Sequence, residues 1–293
     1  MGALAIYKGN FKKGKAEDNK KKWEEANEKS SKPDISYDEF CEALIYDYLT
    51  EFKDRLSKET ERLYTSEELE EILKRDVKPF HTENPNLTMD TLKKQLKDRN
   101  LYYFKIDGEV KLRTGKDSTT GKPNLTFSLL HELFELHQFR GELYPSFDSV
   151  FSTITITTGS PHLLIYIAGN PYFAGKVQRV VHGMLSDQFK TSRVFWGDQQ
   201  LRNILSNEMS ELLTANARKV EDKIRVGASS AKLEGTALYT ELKEGEFSGV
   251  TYMIRNYPSN RISINGSAGI INSDLADDVL IQYIKDRLLP YAT

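Results

Sequence analysis

SLLHELFELHQF, residues 128–139, is the stretch on which the fold turns. It holds His131, Glu132, Glu135 and His137 within seven positions. Zinc hydrolases use H-E-x-x-H because residues four apart lie nearly above one another on a helix. Here the histidines are six apart, and at about 100° per residue they point roughly 120° away from each other. A straight helix therefore cannot bring both onto one ion. Leu129, Leu130, Leu133, Phe134 and Leu136 fall on one broad arc with His137 inside it. His131, Glu135 and Gln138 fall opposite. The periodicity predicts a packing helix with His137 turned toward the core and a surface pair, His131 and Glu135. No metal is expected.

On the C-terminal side the pattern changes to strands. FSTITITT (151–158) alternates with period two, and HLLIYIAG (162–169) is the continuous apolar run of a buried strand. PYFAGKVQRVVHGMLSDQF (171–189) reads as a helix with Pro171 near its start, and SRVFW (192–196) as a short strand. Helical segments are expected over about 198–225. TALYTELKE (236–244), GVTYMIRNY (249–257) and RISINGSAGII (261–271) form a meander. The last helix, DLADDVLIQYIKDRLL (274–289), carries Val279, Leu280, Tyr283, Ile284 and Leu288 on one face.

Toward the N-terminus the chain is helical and charged. KAEDNKKKWEEANEKSSKPD (15–34) is a solvated helix ending near Pro33. Ser36 with Glu39 makes a capping box that opens SYDEFCEALIYDYLTEFKDRLSKE (36–59), with Phe40, Leu44, Tyr48 and Phe52 as its apolar stripe. Thr65 with Glu68 makes a second box, and Thr88 caps MDTLKKQLKDR (89–99). In LYYFKIDGEVKLR (101–113), Asp107-Gly108 between alternating apolar residues is a hairpin signal. The fold class is α+β: a helical N-terminal region over 1–118 that ends in a β-hairpin, then an α+β domain over 119–293 with antiparallel sheet, packed helices and a C-terminal helix.

Composition narrows the function classes. The chain has 293 residues, 39% hydrophobic and 29% charged, and a net charge of −2. That balance provides a core but no global basic field. One cysteine, Cys41, excludes an internal disulfide framework and multi-cysteine metal sites. Without a secretory h-region or an apolar run near 20 residues, the cytosol is the expected compartment and no membrane partner is expected.

Complete catalytic motifs are lacking. GKDSTTGKP (115–123) misses the phosphate-loop spacing, and Lys122 is followed by Pro123, so it reads as a surface loop with Lys116 and Lys122 able to touch phosphate. Glu241 and Lys243 have the E-x-K spacing of metal-dependent nucleases, where a carboxylate holds magnesium and a lysine polarises water. Asp222 and Glu234 are the available upstream acids.

Arg255, Asn256, Tyr257, Asn260 and Arg261 cluster with turn residues and suit phosphate contact and base stacking. Lys190 and Arg193, with Trp196, extend such a surface, and the lysines at 12, 13, 15, 20, 21 and 22 form a basic arm. Acidic residues at 24, 25 and 28 follow that arm closely. The sequence thus points to a non-catalytic nucleic-acid-binding or adaptor subunit of a larger cytosolic complex. Prokaryotic defence machinery is one such setting, though no motif carries that context. Its partners are nucleic acid and other protein subunits, and no cofactor is called for. The alternatives are a nuclease using Glu241 and Lys243, and an interaction scaffold built on the N-terminal helices.

Overall fold

The stretch at 128–139 is a strand. The computed structural model describes residues 3–28, 35–59, 88, 90–91, 103–113, 123–159, 161–218, 225–229 and 245–293. Within them β3 runs over Asn124–Phe139 and β4 over Glu142–Thr158. The two pair in unbroken antiparallel register from Asn124↔Thr157 to Phe139↔Glu142. Arg140 (φ 51°) and Gly141 (φ 82°) close the hairpin, and positive φ at both central residues is the type I′ turn that matches strand twist. Leu125, Phe127 and Leu129 are buried and alternate with half-buried Thr126, Ser128 and Leu130. The helix-forming Leu, Glu and Gln of this stretch are overruled because β4 offers a partner along its whole length.

The expected inward His137 is corrected with the helix: it is exposed. At about 3.3 Å per residue, the Cα atoms of His131 and Glu135 lie roughly 13 Å apart and those of the two histidines roughly 20 Å. Neither pair has the helical stacking of residues four apart on which a histidine–carboxylate metal motif depends.

Three further expectations change. Asp107-Gly108 is no hairpin turn but part of one strand, β2 (Tyr103–Arg113), whose register against β3 shifts between Asp107 and Lys111. Gly108, at φ 77°, supplies the positive φ of a bulge instead. The helix expected over 198–225 stops early: the fourth described helix, α4, is Asp198–Glu208, and strand β7 is Met209–Arg218. Three register shifts along β7 break the alternation that would have marked it. The short strand near SRVFW lies earlier, as β6 (Phe189–Arg193), and Val194 and Trp196 enter the core just beyond it.

The chain also opens with a strand, β1 (Ala3–Phe11), before the charged helix α1 (Lys13–Glu28). The remaining strands are β5 (Leu163–Gly169), β8 (Arg225–Ser229), β9 (Glu246–Ile254), β10 (Tyr257–Asn265) and β11 (Ile270–Ser273). Among the described residues they form one eleven-stranded sheet, in the order β2-β3-β4-β5-β1-β11-β10-β9-β7-β8, with β6 also on β1. Every strand pairing among the described residues is antiparallel. β11 takes Leu4 and Ala5 of β1, and β6 takes Tyr7 to Phe11. This makes the fold α+β, with helices at the N-terminus and packed on a large antiparallel sheet.

The core has two parts. Helix α2 (Tyr37–Glu59) and α3 (Pro171–Leu185) pack on one face, with Ala5, Tyr7, Leu125, Phe127, Ile165 and Phe189 beneath them. Helix α4 and the C-terminal helix α5 (Asp277–Tyr283), which continues as a π turn over Ile284–Leu288, pack on the other. Beneath these lie Leu4, Ile6, Leu164 and Tyr166. Adjacent residues of β1 and β5 therefore enter different parts of the core, which explains why HLLIYIAG is apolar throughout.

The capping box of α2 is formed: the Ser36 N–H donates to Glu39 Oε2 at 3.0 Å, and the Glu39 N–H to Ser36 Oγ at 3.2 Å. Its buried stripe is Cys41, Ile45, Tyr48, Leu49, Phe52 and Leu56, rotated slightly from the one expected, with Phe40 and Leu44 half-buried. Thr88 Oγ1 accepts the Thr91 N–H at 3.3 Å. The Thr65–Glu68 box lies outside the described residues. No helix among them is long and apolar enough to cross a membrane.

Candidate functional site

The E-x-K residues Glu241 and Lys243, the acids Asp222 and Glu234, and Lys116 and Lys122 of the polar loop all lie outside the described residues. Among those described, no group of three His, Cys, Asp or Glu side chains is placed to hold a metal ion.

The Arg/Asn/Tyr turn joins β9 to β10. Arg255 fastens the end of α4. Its N–H donates to the Glu208 carbonyl at 2.8 Å, and its guanidinium to the carbonyls of Ser206 (3.2 Å) and Met209 (3.1 Å). A cation serving the last carbonyls of a helix is a C-terminal cap. Arg261 pairs with Asp274 at 3.0 Å, and Asn260 donates to the Asp274 carbonyl at 3.3 Å. Three of the five residues are thus engaged within the protein. Asn256 and Tyr257 instead line a groove of about 340 Å³ with Gln282, Asp286 and Arg287, where Tyr257 meets Tyr283 edge to face at 6.4 Å.

Arg193 lies over the Tyr7 ring at 5.4 Å, with Nε and Nη2 buried and without a hydrogen-bond partner among the described residues. Burial raises the Tyr7 phenol, and the Arg193 charge opposes that rise.

Lys190 has different company. In β6 it stands opposite Asn10 of β1, with Ser192 opposite Lys8. Directly opposed residues share a face of the sheet, and Lys8 and Asn10 continue the alternation of Leu4 and Ile6. Lys12 follows, its N–H donating to the Gln188 carbonyl at 2.9 Å, and α1 adds Lys13 and Lys15. Sequence positions nearly 180 apart thus meet at one end of the sheet. Lys8, Lys12, Lys13, Lys15 and Lys190 are exposed, and none pairs with an acid among the described residues.

Lys8 is absent from the residues that sequence alone picks out. It belongs to ALAIYKGNF, whose alternation of Leu4, Ile6, Lys8 and Asn10 was the available signal. The lysine end and the Tyr257 groove do not meet. Ile271 links Leu4 to Ile264, and Lys8 lies beyond that level in one direction while Tyr257 lies beyond it in the other. About eight residues of strand, roughly 25 Å, separate them. No protein-family model, curated protein or solved structure matches the chain.

Proposed function

We propose that the chain is a non-catalytic nucleic-acid-binding or adaptor subunit of a cytosolic complex, with other protein subunits as its further partners. The observation that supports this is the convergence of Lys8, Lys12 and Lys190, with Lys13 and Lys15 beside them, on one end of the sheet. Exposed ammonium groups, here with no acidic partner among the described residues, are the sequence-independent means of contacting a phosphate backbone. The apolar stripe of α2 packs in the core, which favours this reading over a scaffold that presents that stripe.

The test is fluorescence anisotropy with single- and double-stranded oligonucleotides over a salt series. Each phosphate contact contributes about 0.9 to the slope of log K against log salt on duplex DNA and about 0.7 on single strands. The triple variant K8A/K12A/K190A should lower the slope by about 2–3 on a duplex. Absence of binding at low salt, or an unchanged slope in the variant, would refute the reading.

A further inference from the structure

Beside the lysine row lies a pocket of about 260 Å³. Lys8, His162 and Lys285 bring charge and hydrogen-bonding capacity to it, and Leu164, Val194 and Leu289 give it an apolar wall. Two ammonium groups and an imidazole around a semi-enclosed space suit an anion that carries an apolar or ring-shaped body. Lys285 also has a contact within the protein, so it brings charge to the pocket without being devoted to it.

A backbone hydrogen bond closes the loop that carries the imidazole. The Gly159 N–H donates to the His162 carbonyl at 2.6 Å. A Cβ at position 159 would stand 2.7 Å from His162 Nε2 and 2.9 Å from Leu164 Cγ, so glycine is what leaves the ring its room. Burial, then the Lys8 charge, push His162 down to about 4, against a smaller opposing effect of Asp38. At neutral pH the ring is uncharged and keeps one N–H to donate.

We propose that this pocket binds the terminal phosphate monoester of a nucleotide, held by Lys8 and Lys285 with His162 as hydrogen-bond donor. A terminal monoester carries more charge than an internal phosphodiester and has a free end that can enter an enclosed space. Continuity with Lys12 and Lys190 through Lys8 leads a strand from the pocket onto the row. The inference rests on the nucleic-acid reading for that continuity only.

Two sources share this chemistry, the 5′ end of a strand and a free mononucleotide. The experiment compares a 5′-phosphorylated single-stranded 12-mer, the same strand with a 5′-hydroxyl, and AMP. Anisotropy is read for the strands, and the His162 ring signals in ¹H–¹⁵N NMR for all three. A strand source predicts about tenfold tighter binding of the phosphorylated 12-mer and a shift of the His162 signals. A mononucleotide source predicts that AMP shifts them while the two strands bind alike. Gly159→Ala, which crowds the ring, should abolish either effect, and the wild-type NMR arm stands whether or not that variant folds. Equal affinity for the two strands with unmoved His162 signals under all three ligands overturns the pocket. If the strands still bind with the expected salt slope, the lysine reading survives that result. A His162 shift with AMP and no strand binding at any salt keeps the pocket and sinks the lysine reading.

Discussion

Leu129 and Leu130 are neighbours that a strand must treat differently and a helix of the expected phase would treat alike. Leu129 is fully buried, opposite Ile106 on β2 and Ser152 on β4, within the core beneath α2 and α3. Leu130 is half-buried, opposite Lys105 and Phe151. Leu129→Ala removes three carbons, about 2.4 kcal/mol of transfer free energy at roughly 0.8 kcal/mol each. If the site collapses only partly, a residual cavity on the order of 50 Å³ adds about 1.2 kcal/mol. The expected loss is therefore about 3.6 kcal/mol. Leu130→Ala opens toward solvent, encloses no cavity and should cost about 1 kcal/mol. Urea unfolding followed by far-UV circular dichroism measures both, with m-values checked for constancy. Costs for the two variants within about 0.5 kcal/mol of each other would refute the alternation, and with it the strand.

Two further outcomes test local structure. Ser36→Ala should cost about 1 kcal/mol through the lost N-cap. The Ser36 hydroxyl, then its backbone N–H, hold Glu39 below its usual 4.5. The stabilisation is thus fully present above pH 4.5 and lost as pH falls through the lower folded value. Urea midpoints from pH 7 to 3 should show a flatter acid limb in the variant, and an unaltered limb would discount the box. Trp196 is buried and donates its indole N–H to the Leu288 carbonyl at 3.0 Å, tying the segment after β6 to the C-terminal helix. Trp196→Phe removes this buried hydrogen bond together with part of the indole's volume and should cost on the order of 2 kcal/mol. A change in urea stability below about 0.5 kcal/mol would remove the tie.

By itself the sequence determined the elements whose signals are local. The Ser36–Glu39 box, the helical period of α2 (though not the exact phase of its stripe), Pro171 at the start of α3 and the apolar run of β5 each rest on residues close together in the chain. The α+β class follows from the order of helical and strand patterns along the chain. Tertiary structure decided the elements whose conformation depends on a distant partner. β3 satisfies both a helical arc and an alternating strand, and its pairing with β4 and β2 selected the strand. β7 and β2 carry register shifts that no short window reveals, because a bulge is defined against the strand opposite. The lysine end is of the same kind. Lys8 and Lys12 are close in sequence, but Lys190 joins them only because β6 pairs with the second half of β1 where β11 leaves off. Backbone hydrogen bonds between remote segments set that proximity, and a charge pattern read along the chain contains no term for it.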